Sequence, residues 1–376
     1  MQAEPTIVRP EDAVPLSQPY INGREVELVA EVLRSGQLGR GPMQDRFERM
    51  FADFVGARHA IAVSSGAAGL HVAAVAAGWG PDDEVIMSPF SVVGAASIAR
   101  HTGANVTFAD IDSRTLNVDP AAVEAAVTSR TRGIVPVDTF GWPADMDAIG
   151  AVATLHGLTV VEDASEALGA RYRGSSIGQG SGWPTIFAFD SNGQLTTGDG
   201  GMLCTDDDAE AEEWRSLVDR GHVVGGQWIA RDRLGCSFRL GDVASAIGVG
   251  QLEKLPRILA MRQQVAAEYT RLLADVPGVV TPLADGHGNV RSWFAYRILL
   301  DEDVDRADVM RRLAERRIEC SPDLPSIHLQ PAFREGTFPV AESIGARSLA
   351  IPFFPQMSPQ QQERVVVELR DALAAV

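Results

Sequence analysis

Four carboxylates stand just past short apolar runs. Asp138 follows the run at 133–137 and Asp163 the run at 158–161. Glu166 lies three residues beyond Asp163, and Asp190 opens the loop after Phe187-Ala188-Phe189. Acids gathered in a cleft raise one another's pKa, and such a pair can take up and return a proton. Asp163, Glu166 and Asp190 are therefore candidates for acid–base work, with Asp138 a candidate substrate contact. The plain alternative is that these acids cap turns. Ser64, Ser65 and Ser88 also sit just past apolar runs. Ser65-Gly66 opens a helical stretch, whose free backbone N–H groups and dipole favour an anion. His328, in Ile327-His328-Leu329-Gln330-Pro331, is a candidate substrate contact, against a packing role. The only lysine, Lys254, falls on a long amphipathic helix and reads as a surface residue. The three cysteines Cys204, Cys236 and Cys320 have no metal spacing; they read as reduced thiols, and no metal site is expected.

The elements that must position these residues alternate along the chain. Apolar runs at 60–63, 84–87, 105–109, 133–137 and 158–161 are separated by helix-like stretches. Short buried strands between helices predict an α/β fold with a mostly parallel sheet covered on both faces. Ligands of such sheets sit at the carboxyl ends of the strands, where the candidate acids lie. A helix over 243–273 leads into a smaller α+β region with a strand at 292–300 and helices at 306–317 and 359–373. The expected organisation is an N-terminal arm at 1–20, a large domain at 21–250 and a small C-terminal domain at 251–376.

Bulk properties bound the function. The 376 residues are 45% hydrophobic and 22% charged, ordinary for a globular protein. A net charge of −17 argues against nucleic-acid binding. No apolar run approaches a membrane span and no signal peptide stands at the start, so a cytoplasmic location is expected.

The ordered motifs add a resemblance. Ser65-Gly66-Ala67-Ala68-Gly69-Leu70-His71, Pro143-Ala144-Asp145-Met146-Asp147, Glu162-Asp163-Ala164-Ser165-Glu166-Ala167, Gly248 to Leu255, and 327–331 are similar in order to motifs of the DegT/DnrJ/EryC1/StrS sugar aminotransferases. The stretch from Phe189 to Gly201 resembles that family's cofactor-lysine segment, S-F-x-x-x-K-x-x-T-T-G-E-G-G, without a gap. The resemblance implies the fold-type-I pyridoxal-phosphate (PLP) transferase architecture, a three-layer sandwich. It also implies a homodimer with shared active sites, a sugar-like small-molecule substrate, and Asp163 as the acid facing the cofactor's pyridine nitrogen.

The same resemblance places Gly193 where the Schiff-base lysine belongs. Ala67 and Ala188 stand where the family has a phosphate-binding Thr and Ser, Ser237 where it has an Asn, and Val92 where it has a stacking aromatic. Ser65, Gly66 and Asp163 would then be remnants of a PLP site. Three readings follow. The first is an enzyme of sugar or natural-product biosynthesis that works without PLP. The second is a non-catalytic subunit that pairs, as a heterodimer, with an active homologue. The third is an enzyme that holds PLP or pyridoxamine phosphate (PMP) non-covalently. The first reading expects no cofactor.

Overall fold

A computed structural model describes residues 12–180, 182–222, 233–322 and 326–375. The part of the predicted arm at 1–11 lies outside them.

The chain begins with α1 (Gly23–Ser35) and α2 (Pro42–Val55), then β1 (His59–Val63), α3 (Gly66–Ala76), β2 (Glu84–Met87), α4 (Val93–His101) and β3 (Asn105–Phe108). It continues through α5 (Pro120–Ala126), β4 (Thr131–Val135), α6 (Met146–His156), β5 (Thr159–Val160) and β6 (Glu162–Asp163). A small hairpin, β7 (Arg171–Tyr172) and β8 (Ser175–Ser176), precedes β9 (Thr185–Ala188), β10 (Gly201–Thr205) and α7 (Asp208–Val218). The C-terminal part holds α8 (Asp242–Leu252), α9 (Leu255–Leu273), β11 (Val279–Val280), β12 (Tyr296–Leu300), α10 (Arg306–Glu315), β13 (Ser321–Pro322), α11 (Pro339–Arg347), β14 (Ser348–Ile351) and α12 (Pro359–Ala374).

Two four-stranded sheets, β3-β2-β4-β5 and β6-β9-β10-β1, lie edge to edge. The chain through β5 and β6 joins them, pairing with β4 on one side and, through β6, with β9 on the other. The parallel bridge from Val137 to Asp163 closes the seam. Only β10 runs against its neighbours, so the sheet is mostly parallel, as expected. Alternation splits each strand between two faces. Ile61 and Val63 enter the core under α3, α4 and α7, while Ala60 and Ala62 face α1, α2 and α8. Val85 and Met87 face the first core, and Ile86 packs with α5 and α6.

A separate core fills the C-terminal lobe, built on the antiparallel sheet β11-β12-β14-β13 and on α9, α10 and α12. Val14 from the arm joins it, held by a 2.9 Å bond from its N–H to the Arg317 carbonyl.

Two expectations need correction. The helix expected over 243–273 is two helices, broken at Glu253 and Lys254. Pro256 is the cause: it lacks an N–H and its ring would collide with the carbonyl four residues earlier, so it serves as the start of α9. Lys254 is consequently turned inward. Its side chain is only 13% exposed, its Nζ lies 2.5 Å from Glu25 Oε1, and it sits over the Tyr20 ring at 4.7 Å. It is a structural cation, not a surface residue. The strand expected from 292 begins only at Tyr296, because Ser292 instead donates to the Gly141 carbonyl at 2.9 Å.

Candidate functional site

Register decides which face of the sheet each acid takes. Asp163 pairs with Val137 across a parallel bridge, so the two side chains share a face of the sheet. Val137 lines a cavity together with Phe90, Val92, Phe140, Glu166 and Arg297. Asp163 is nearly buried, and its Oδ1 accepts from the Ser165 N–H at 3.1 Å. Burial raises its pKa, against the Ser165 bonds that lower it. Glu166 reaches the cavity from the turn after β6, and its Oε2 accepts from the Phe140 N–H at 2.6 Å.

Asp138 goes elsewhere. It lies one residue past Val137, is wholly buried, and its Oδ1 accepts from the Ala144 N–H at 2.8 Å. Neither Asp138 nor Asp163 is among the residues lining that cavity, whereas Glu166 is. Desolvation pushes the Asp138 pKa well up, aided by the charge of Glu162 and then of Asp163 and Glu166, and its Oδ2 has no partner. Alternation along the strands puts Asp138 and Glu162 on the sheet face opposite Asp163. Asp138 is therefore a buried acid beside Glu162, not the substrate contact expected from the sequence.

Asp190 does not join the group either. It is exposed, and its Oδ1 accepts from the N–H groups of Asn192 at 2.8 Å and Gly193 at 3.1 Å. It shapes the loop, as short acids do in turns. The loop is fixed from behind by Arg262 of α9, a fully buried guanidinium. It donates to the carbonyls of Gly193 at 2.6 Å and Asn192, Trp293 and Phe294 at 3.1 Å. Burial lowers its pKa to about 10, which leaves it charged near neutrality.

His328 is buried too, with Nε2 3.0 Å from Glu342 Oε1 and its ring 4.8 Å from that of Phe338. It packs α11 against a short turn, which corrects the expectation of a substrate contact.

The start of α3 is intact. Ser65 caps it, its Oγ accepting from the Ala68 N–H at 3.0 Å. A Cβ at Gly66 would stand 2.8 Å from the Ala188 Cβ, so a methyl group meets the helix start from β9. Gly201, entering β10, lets the strand pass close to the same turn: its Cβ would lie 2.8 Å from the Gly66 nitrogen. Val92, half exposed, stands at the start of α4. The family implies PLP here, and these residues do not fit it. Ser65 Oγ accepts from its own helix and keeps only its hydroxyl proton to donate, Ala188 offers no side-chain hydrogen bond, and Gly193 has no side chain to bond the cofactor.

Sequence reasoning missed the wall of the cavity. Phe140 has a left-handed backbone (φ 52°), rare for a bulky residue. Its environment holds it there: its N–H goes to Glu166, its carbonyl accepts from Arg291 at 3.0 Å, and Arg297 lies 4.2 Å over its ring. Gly141 beside it must be glycine, since a Cβ would fall 1.5 Å from the Ser292 carbonyl oxygen. Period-two alternation in β12 could have exposed Arg297: Tyr296, Ile298 and Leu300 are buried, and Arg297 is on the other face. Among the described residues no cluster of His, Cys, Asp and Glu is arranged for a metal, and no helix is long and apolar enough to cross a membrane.

Comparison with known proteins agrees with this architecture. The profile of the DegT/DnrJ/EryC1/StrS aminotransferase family matches residues 19–370. The spore coat polysaccharide biosynthesis protein SpsC of Bacillus subtilis is 38% identical over 95% of this chain and 96% of its own. The aminotransferase TlmJ from Streptoalloteichus hindustanus superposes with a TM-score of 0.91 at 33% identity, over 96% of this chain and 99% of that one. S. venezuelae DesV, in complex with a ketimine intermediate, gives 0.90 at 32% identity, over 97% and 99%. The protein has the fold of the PLP aminotransferases and belongs to the DegT/DnrJ/EryC1/StrS aminotransferase family.

Proposed function

We propose that this protein is a family member that has given up the PLP Schiff base and works as a PLP-independent enzyme of sugar or natural-product biosynthesis. The observation that carries the reading is the loop around Gly193: its backbone is held by Asp190 and Arg262, yet its central residue has no side chain. The single lysine cannot substitute, because it is engaged with Glu25 and Tyr20.

The acid–base work falls to Glu166, which lines the cavity, and to Asp163, which shares a face of the sheet with the cavity residue Val137. Asp163, its pKa raised by burial, is suited to hold a proton, while Glu166 stands at the cavity wall against Phe140. The substrate is small and sugar-like, by kinship with the family. Asp138, Asp190 and His328 support the scaffold in this reading. The protein acts as a homodimer.

The test is a titration of the purified protein with PLP and with PMP, by calorimetry and absorbance. The proposal expects no binding at micromolar cofactor. Tight binding by either form would overturn it and favour the non-covalent PLP or PMP reading. Asp163 and the helix start at Ser65-Gly66 are the features that support that second reading.

A further inference from the structure

The loop that lacks a lysine holds a reactive peptide unit instead. Asn192 is followed by Gly193, a residue without a side chain. The carbonyl carbon of an asparagine side chain lies within reach of the next backbone nitrogen, and a glycine nitrogen is the least hindered attacker. Asn192 is exposed, and its side-chain amide makes no hydrogen bond among the described residues.

The fold polarises this peptide unit at both ends. At its nitrogen, the Gly193 N–H donates to Asp190 Oδ1 at 3.1 Å. At its oxygen, the Asn192 carbonyl accepts from Arg262 Nη2 at 3.1 Å. The carboxylate draws off the proton, and the guanidinium stabilises the negative charge that the amide then carries. The same arginine lacks a counter-ion. Arg262 is 1% exposed, its four hydrogen bonds all go to neutral carbonyls, and its Nε has no partner. Among the described residues it makes no salt bridge, and it feels the charge of Asp190 only from a distance. A buried cation without a partner is costly, so a carboxylate formed beside it is favoured.

We propose that Asn192-Gly193 is a self-modification site, at which Asn192 loses ammonia and becomes an isoaspartyl residue whose new α-carboxylate pairs with Arg262. The Gly193 nitrogen passes its proton to Asp190 and bonds to Asn192 Cγ. The Cγ–Nδ2 bond breaks, and ammonia leaves with the proton that Asp190 returns, which closes a cyclic succinimide. Water then adds to the Asn192 carbonyl carbon, and the bond from that carbon to the Gly193 nitrogen breaks. The chain now runs through the former side chain, and the freed α-carboxylate stands where Arg262 held a carbonyl. Nothing is oxidised or reduced, and water is the only co-reactant. The product puts a negative charge beside the buried guanidinium and lengthens the loop backbone by a methylene. The inference goes beyond the PLP-free reading and does not depend on it, because it uses only groups that meet at this loop. The chain also carries an internal control. Asn22-Gly23 has the same sequence, but Asn22 caps α1: its Oδ1 accepts from the Arg24 N–H at 2.9 Å. Among the described residues no carboxylate accepts the Gly23 N–H.

The experiment incubates the full-length protein at neutral pH in heavy-oxygen water. Peptide mass spectrometry then follows the exchange of the side-chain NH2 for oxygen, and an isoaspartyl methyltransferase reports the rearranged link. Asn192 should convert at least about tenfold faster than Asn22, the share of one charge-assisted contact in a barrier. Its product should be richer in isoaspartate than that of the same site in urea-unfolded protein, where Arg262 is absent from the loop. Two variants should each slow conversion about tenfold. Asp190→Asn keeps an acceptor for the turn but no base, and Gly193→Ala sets a Cβ 3.2 Å from the Leu195 carbonyl oxygen. Thermal melts confirm that both are folded. An Asn192 that outlasts Asn22, a product ratio equal to that of the unfolded chain, or undiminished conversion in Asp190→Asn overturns the proposal. The two readings fail separately: a protein that binds PLP tightly and still converts Asn192 would sink the PLP-free function and leave the modification standing.

Discussion

Replacing Glu162 by Gln tests the buried acids behind the site. Glu162 is almost fully buried, its Oε2 accepts from the Thr185 hydroxyl at 2.9 Å, and no arginine or lysine is among the causes of its shift. Burial, with a further push from Asp163, lifts its pKa from 4.5 to about 7. In the unfolded chain the group ionises near 4.5, while the folded protein keeps the proton up to about 7. Folding therefore holds more protons in this window, and stability falls as pH rises through it. The contribution is whole below 4.5, is lost progressively toward 7, and amounts to about 3 kcal/mol at roughly 1.4 kcal/mol per pH unit. Glu162→Gln keeps an acceptor for Thr185 and cannot ionise. The assay is urea unfolding of wild type and variant from about pH 4.5 to about pH 8. The variant should gain on the wild type by up to about 3 kcal/mol across the series, with most of the gain in place by neutral pH. A difference that stays flat with pH would refute the reasoning, because Glu162 would then ionise alike in both states. A difference that shrinks would mean an unrecognised cation faces it.

Three further outcomes are expected. Combining Gly193→Lys with Ala67→Thr and Ala188→Ser should bring back PLP binding with a visible absorbance band that borohydride removes; the Gly193 backbone is not left-handed, and an added Cβ comes closest to the Leu195 carbonyl oxygen at 3.2 Å, with Asp190 at 3.8 Å. Restoring two phosphate bonds is worth about 100-fold or more in affinity, and a folded triple variant without the band would show that the lysine position is misassigned. Lys254→Met should lower stability by about 3 kcal/mol, because it strands the buried Glu25 carboxylate; unchanged melting would refute the structural role. Arg262→Met removes four hydrogen bonds to carbonyls and should speed amide exchange at Gly193, measured by hydrogen–deuterium exchange; unaltered exchange there would show that Asp190 alone holds the turn.

Much of the large lobe was legible because its signals are local. The run Glu84-Val85-Ile86-Met87 is a strand with the bounds read from the sequence, and Ser65 caps the helix that Gly66 opens. The ordered motifs carried the family. The misreadings were of direction and of tertiary contact. Asp138 and Asp163 both follow apolar runs, yet one residue of register sends them to opposite faces of the sheet. Lys254 looked solvent-facing on a continuous helix, and Pro256 turned it into the protein. Arg291 and Arg297 are far from the acids in sequence. They reach the site only because the C-terminal lobe docks its 291–292 segment on Gly141, a contact no local pattern announces.

The clamp made by Arg262 has a mechanical consequence. Its helix, α9, is a beam shared by both lobes: Leu255 and Ile258 are set in the core of the large lobe, Val265 through Leu273 in that of the small one. Arg262 projects from the span between them and grips the Gly193 carbonyl on one side and those of Trp293 and Phe294 on the other. Any rocking of the C-terminal lobe about this beam must drag the Gly193 loop with it. Lobe position and loop position thus form a single degree of freedom, and a ligand that draws Arg297 toward the large lobe would re-aim the loop through the same lever.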